Sequence, residues 1–243
     1  MNIPFFKPNG DQPGKSMDRS ALFRSTDHMF NEQYKNFSAR FEYGVDMRGY
    51  KVVGITSSIA GEGKTVATVN LAANLASTGR KKVLLLDVDL RKSDLAKGMR
   101  IPPHPGLTEF LRGSASLKDT LRYALTEGLH VIPGGKRTDA PWDLITGERF
   151  RTFLKEMRET YDVILLDTPP VLPVSDTLAL RDVVDGIILV YRMGFTPHTL
   201  FRQTLEDIGE PKLLGILLNG VEPQSEGYYQ KYYGKYYTKQ EAR

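Results

Sequence analysis

The residues best suited to chemistry lie in short runs at fixed positions. The run Ser57 to Thr65 reads SSIAGEGKT. It follows Lys51 to Thr56 (KVVGIT), which has the character of a buried strand. It opens Thr65 to Ser77, which has the character of a helix ended by Gly79. Strand, glycine-rich turn and helix is the context in which G-x-x-x-x-G-K-[ST] cradles phosphates. Gly63, Lys64 and Thr65 meet the end of that pattern, while Ser58 stands where its first glycine would be. The physics survives the change. Small residues let backbone N–H groups turn inward around a phosphate, and the helix N-terminus adds a favourable dipole. Gly61 and Gly63 supply the backbone freedom. The expected nucleotide-binding set is therefore Ser58, Ala60, Gly61, Glu62, Gly63, Lys64, Thr65 and Val66. Lys64 is expected to reach the β- and γ-phosphates of ATP, and the Thr65 hydroxyl to hold Mg²⁺.

Two acidic runs complement this loop. Leu84 to Arg91 reads LLLDVDLR, so Asp87 ends a buried strand and Asp89 follows it. Val163 to Pro170 reads VILLDTPP, so Asp167 also ends an apolar strand. All three then fall at the carboxyl edge of a sheet, where open α/β sheets bind ligands. Carboxylates there hold a hydrated Mg²⁺, directly or through water. For any one of them the bland reading is a strand-end cap or turn. With a phosphate loop upstream and two such strand ends, the metal-side reading is preferred. His28, His104, His130 and His198 are isolated, without metal-ligand spacing. Neither a G-x-S-x-G elbow nor an H-E-x-x-H helix occurs.

The elements that must carry these runs alternate. Strands are expected at Lys51–Thr56, Lys82–Asp87, Leu129–Ile132, Asp162–Asp167, Asp185–Tyr191 and Lys212–Asn219. Helices are expected at His28–Phe41, Thr65–Ser77, Glu148–Thr160 and His198–Ile208, with short ones near Leu107–Leu111 and Leu117–Leu125. Short continuous apolar runs separated by helices indicate a parallel sheet covered on both faces. The fold class is thus α/β: a doubly wound, mainly parallel sheet of the P-loop NTPase kind, in a single domain. Residues 1–26 are polar with Pro and Gly and read as a flexible arm. Residues 27–222 form the expected domain. Residues 223–243 are a tail of different character, GYYQKYYGKYY from Gly227 onward, with six of the chain's 12 tyrosines.

Bulk properties narrow the alternatives. The chain of 243 residues is long enough for one sizeable core, and 40% hydrophobic with 26% charged residues is ordinary for a globular protein. With no cysteine, disulfides and thiolate metal sites are excluded. No apolar run approaches the roughly 20 residues of a membrane span, and Met1 to Ser20 lacks the apolar core of a signal peptide. The net charge of +4 is mild, and no nucleic-acid partner is expected.

Taken together, TSSIAGEGKT, LLLDVDLR and VILLDTPP resemble the bacterial tyrosine kinases, P-loop enzymes that help control capsule and exopolysaccharide synthesis. The resemblance runs from about Glu32 to Asn219. It includes PHPGLTEFLRGSASL at 103–117, HVIPGGK at 130–136 and PPVLPVSDTLAL at 169–180. It implies ATP-dependent phosphorylation of tyrosine. Lys64 and Thr65 would bind phosphates and Mg²⁺, Asp87 and Asp89 would form the second acidic motif, and Asp167 the third. An aspartate of the second motif would help deprotonate the tyrosine hydroxyl. Sequence leaves Asp87 and Asp89 both open for this; Asp87 is taken as the base, with Asp89 and Asp167 nearer the metal. Arg91 would stabilise phosphate charge, and Asn219 would contact adenine.

By the same resemblance, Tyr228, Tyr229, Tyr232, Tyr233, Tyr236 and Tyr237 would be autophosphorylation sites, entering a neighbouring subunit's active site. Each phosphate would add about −1.5 to −2 charge, against Lys231, Lys235 and Lys239. The competing reading is an adhesive or base-stacking tail. A homo-oligomer is implied, as are a separate membrane-embedded activator of the polysaccharide co-polymerase kind, a protein tyrosine phosphatase, and a cytoplasmic location at the membrane's inner face. One departure bears on ring assembly. The family's N-terminal E-x-x-R-x-x-R reads EQYKNFS here, with Lys35 and Ser38 at the arginine positions and Arg40 nearby. Lysine keeps the charge but lacks the planar fork, and serine has neither. Two rivals remain: a positioning ATPase, whose signature lysine would stand at Ile59, and a nucleotide-binding regulator without catalysis.

Overall fold

Apolar runs of four to seven residues form six of the seven strands of one sheet in the computed structural model, which describes residues 28–123, 126–174 and 176–221. In chain order they are β1 (Val52–Ser57), β2 (Val83–Asp87), the two-residue β3 (Arg122–Tyr123), β4 (Leu129–Ile132), β5 (Val163–Asp167), β6 (Gly186–Arg192) and β7 (Leu213–Asn219). Their order across the sheet is β3-β4-β2-β5-β1-β6-β7. Every pairing is parallel except that of β3 with β4. The helices are α1 (His28–Arg48), α2 (Lys64–Ser77), α3 (Leu95–Met99), α4 (Leu107–Leu111), α5 (Leu117–Thr120), α6 (Pro141–Thr146), α7 (Glu148–Thr160), α8 (Asp176–Ala179) and α9 (His198–Ile208). Two single-turn 3₁₀ segments follow α8 and α9.

Strand residues alternate between two cores, which is why the strands read as unbroken apolar runs. Val53, Ile55, Val83, Leu85 and Leu165 pack with Phe41, Val45, Leu71 and Leu75 of α1 and α2. Leu84, Leu86, Ile164 and Leu166 pack with Phe150, Phe153, Leu154 and Met157 of α7. At the amino edge of the sheet, Asp185 ties three segments. It accepts the N–H groups of Lys51 and Val52 at 2.7 and 2.8 Å, and the Arg158 guanidinium at 2.8 Å through both oxygens. Burial raises its pKa, but the Arg158 pair and the two backbone donors outweigh this and hold it below the ordinary carboxylate value.

The expected strands and long helices are present, with two corrections. The N-terminal helix runs past Phe41 to Arg48, because nothing breaks it before Gly49. That glycine takes a left-handed φ of 64° and the next amide, Tyr50 N–H, returns to the Val45 carbonyl at 2.9 Å. The helix expected over Leu117–Leu125 stops at Thr120. Leu121 is extended, Arg122 pairs with Val131, and the Arg122 guanidinium donates to the His104 and Pro105 carbonyls at 3.0 and 2.9 Å. Within α1, Ser38 is buried and Lys35 pairs with Glu32 of its own helix at 2.6 Å, while Arg40 is exposed.

The β6–β7 ladder has a register shift between Ile187 and Ile188, and on the outer strand β7 Ile216 and Leu218 are exposed, at 43% and 56%. No helix among the described residues is long and apolar enough to cross a membrane. The expected arm and tail, with all six tail tyrosines, lie outside the described residues.

Phe150 is fully buried between α7 and the sheet. Phe150→Ala is expected to destabilise the fold by about 3–5 kcal/mol, read as a lower urea midpoint at unchanged slope.

Candidate functional site

The strand order puts β1 between β5 and β6, so the loop that follows β1 opens at the middle of the carboxyl edge. The loop leaves β1 at Ser57 and enters α2 at Lys64. Gly61 and Gly63 have φ of 89° and 91°, a left-handed conformation that side chains disfavour. A Cβ on Gly63 would also collide with the Asn219 amide nitrogen. No side chain caps the N-terminus of α2, so its first-turn N–H groups are the donors that an anion would satisfy. The far wall of the loop is pinned, since Val171 and Leu172 N–H donate to the Ser57 and Ser58 carbonyls at 2.9 and 3.2 Å. Ser58 is buried, and its hydroxyl finds no partner among the described residues. Ala60 and Gly61 are exposed at the turn's tip; Glu62 is wholly buried.

Facing the loop, Asp87 and Asp167 are register partners at the ends of neighbouring strands. Both are essentially inaccessible, at 0% and 1% exposure. Asp87 accepts the Asp89 N–H at 3.1 Å and the Ser93 hydroxyl at 2.5 Å, one on each oxygen. Asp167 accepts the Thr68 hydroxyl at 3.4 Å and is hydrogen-bonded by Thr65. Lys64 Nζ lies 3.4 Å from Asp89 Oδ2. Burial raises the pKa of Asp87 well above the ordinary value, and the charge of Asp167 adds to it against the Ser93 hydrogen bond. Burial raises Asp167 as well, opposed by Lys64. For Lys64, burial works against the charge, but Asp167, Asp89 and Asp87 together overcome it and raise its pKa.

Three carboxylates thus share one ammonium, a surplus of negative charge in a dry corner. A divalent cation fits that surplus. Among the described residues no three carboxylate or imidazole groups form a closed cage, and Mg²⁺ bound beside phosphates ordinarily keeps several waters and phosphate oxygens as ligands. Thr65, Asp89 and Asp167 are the groups nearest such a role.

The structure therefore brings together Lys64, Thr65, Asp87, Asp89 and Asp167. Arg91 has a different first partner from the one expected: its guanidinium pairs bidentately with buried Asp176 at the start of α8, at 2.6 and 3.3 Å. Asn219 Nδ2 donates to the Glu62 carbonyl at 2.7 Å, which sets this residue against the phosphate loop. Sequence reasoning missed Ser93, Asp176, Arg192 and Thr196. Ser93 lies in the turn just beyond LLLDVDLR, and Asp176 lies within PPVLPVSDTLAL, but nothing local marked either as part of the site.

The chain matches the family described as an AAA domain over residues 50–200. It is 33% identical over 222 residues to the tyrosine-protein kinase YwqD of Bacillus subtilis (strain 168), covering 89% of this chain and 93% of that one. Four further curated relatives are longer, and the chain spans 26% to 28% of their length. Its fold superimposes on the kinase domain of the Escherichia coli tyrosine kinase ETK with a TM-score of 0.78 at 26% identity, over 90% of this chain and 86% of that one. It superimposes less well on the septum site-determining protein MinD complexed with Mg-ADP from Pyrococcus horikoshii OT3, with a TM-score of 0.57 at 25% identity over 74% and 76%. By motif set, extent of match and fold, the chain belongs to the bacterial tyrosine kinase family of P-loop proteins.

Proposed function

We propose that this protein-tyrosine kinase transfers the γ-phosphoryl group of ATP to tyrosines of its own C-terminal segment, Tyr228, Tyr229, Tyr232, Tyr233, Tyr236 and Tyr237, between neighbouring copies. The observation that carries the reading is the surplus of buried carboxylate at matched strand ends opposite Lys64 and an uncapped helix N-terminus. Phosphoryl transfer needs mainly positioning and electrostatic stabilisation, and these are what the site offers. The first-turn amides of α2 and Lys64 bind phosphate oxygens; Lys64 exchanges its Asp89 contact for them. Thr65, Asp89 and Asp167 would hold Mg²⁺, which would supply charge neutralisation for the phosphates. Asp87 accepts the tyrosine proton once the Ser93 hydroxyl, which occupies its Oδ2 here, gives way to the substrate. Ser93 already makes with Asp87 the hydroxyl-to-carboxylate bond that a substrate tyrosine would make, which supports an orientation suited to taking a hydroxyl proton. Arg91 acts through Asp176, fixing α8 beside the site. Asn219 spends its amide nitrogen on the phosphate loop, leaving its oxygen for an adenine amine.

The activity would regulate exopolysaccharide or capsule synthesis, with a membrane-embedded co-polymerase as activator and a phosphatase reversing the modification. Homo-oligomers are proposed on the family resemblance. Ser38 is buried and Lys35 pairs within α1, and the exposed Arg40 is the basic residue proposed to serve a ring. A positioning ATPase is the second reading. It is disfavoured by Ile59 at the signature-lysine position and by the lower likeness to the septum protein.

Lys64→Met is expected to weaken Mg-ATP binding about ten- to hundredfold, the loss of a charge-assisted contact, measured by calorimetric titration. Asp87→Asn should lower the phosphorylation rate by about 10²–10⁴, with Mg-ADP affinity retained. Replacing the six tail tyrosines by Phe should leave ATP binding intact and remove most autophosphorylation, mapped by mass spectrometry. Equal self-labelling of that variant overturns the acceptor assignment. ATP hydrolysis without phosphotyrosine, activator present, favours the positioning ATPase.

A further inference from the structure

The one acidic side chain of the phosphate loop takes no part in the chemistry above. A carboxylate in a loop that cradles phosphates is electrostatically adverse, and burying it is costly unless every lone pair is used. Glu62 has no exposed surface. Its Oε2 accepts the Ile59 N–H at 2.7 Å; its Oε1 accepts the Thr196 hydroxyl at 2.5 Å and the Arg192 N–H at 3.3 Å. These partners come from the loop itself, the end of β6 and the segment leading into α9. Secondary ties run in parallel. Arg192 Nη1 donates to the Gly61 carbonyl at 3.0 Å, Asn219 Nδ2 to the Glu62 carbonyl at 2.7 Å, and Met193 N–H to the Asn219 carbonyl at 2.9 Å. The Arg192 guanidinium also lies 4.7 Å from the centroid of Phe195, the ring that faces Gly61.

We infer that Glu62 is a positioning residue for nucleotide binding. Its side chain fastens the outer turn of the phosphate loop, residues 59–63, to the end of β6 and the segment leading into α9, so that the loop is set in its curvature before nucleotide arrives. The inference rests on the nucleotide-site reading of this loop. It assigns to the side chain a role separate from the backbone contacts expected of every loop position. The side chain serves as an acceptor on both oxygens. A carboxamide has one acceptor and one donor end. Either way round, glutamine sets its NH₂ against the Ile59 or the Arg192 N–H, and a backbone N–H cannot turn away as the Thr196 hydroxyl can. Glu62→Gln therefore breaks the fastening with almost no change of shape.

The test compares wild type with Glu62→Gln by Mg-ADP titration, by steady-state kinetics in Mg-ATP, and by amide hydrogen exchange without nucleotide. The expected result is an Mg-ADP Kd and an ATP KM both raised about tenfold, with kcat nearly unchanged, because the lost binding is shared by ground and transition states. The Ile59 and Arg192 amides should exchange faster in the variant. Thr196→Val, which removes one donor, should shift Kd in the same direction by less, and its effect should not add to that of Glu62→Gln. A folded Glu62→Gln with wild-type Kd and KM, or with reduced kcat at unchanged KM, overturns the inference alone. Should Glu62→Gln not fold, Thr196→Val decides, and unchanged Mg-ADP affinity in it overturns the inference. Wild type that fails to bind Mg-ADP overturns the nucleotide-site reading and the inference with it.

Discussion

Two carboxylates at matched positions on neighbouring strands, Asp87 on β2 and Asp167 on β5, are shielded from water and held against a single lysine. Like charges so close are tolerated because each has local support. Asp87 has a hydroxyl and an amide, and Asp167 has two threonines from α2. The rest of the molecule can be understood as the frame that keeps this arrangement in register. The parallel pairing of β2 with β5 sets the two acids side by side, and the β1–α2 connection brings the lysine over them. A slip of one residue in either strand would turn its acid into one of the apolar cores.

The cores on the two faces of the sheet supply the rigidity. Leu84 and Leu86 alternate with Val83 and Leu85, so each strand is anchored on both sides and its end cannot drift. At the opposite edge the Asp185–Arg158 clamp fastens the entries to β1 and β6. The candidate site thus sits at the carboxyl edge, and the Asp185–Arg158 clamp lies at the opposite, amino edge.

What was legible in the sequence is what is encoded locally. The phosphate loop is contiguous, and a strand-ending aspartate declares itself by the apolar run before it. Gly61 and Gly63 could be singled out because their backbone conformation demands glycine. What was not legible depends on pairs far apart in the chain. Glu62 meets Thr196 across 134 residues and Arg91 meets Asp176 across 85; no local pattern announces either. The helix expected through Leu125 failed for a similar reason, since its periodicity continued but the Arg122 side chain and strand found distant partners. Conversely α1 outran its expected end, because Val45 still packed inward beyond Phe41.

The outer strand β7 has a bearing on how the protein behaves in bulk. Its sequence, LLGILLN, holds neither a charge nor a proline, the usual devices that keep a free sheet edge from recruiting another strand. Ile216 and Leu218 stand uncovered there among the described residues. Among the described residues no further strand pairs with this edge, so it presents backbone groups beside apolar side chains. Shielding of that margin therefore bears on the colloidal stability of the protein, alongside the +4 net charge carried by the chain.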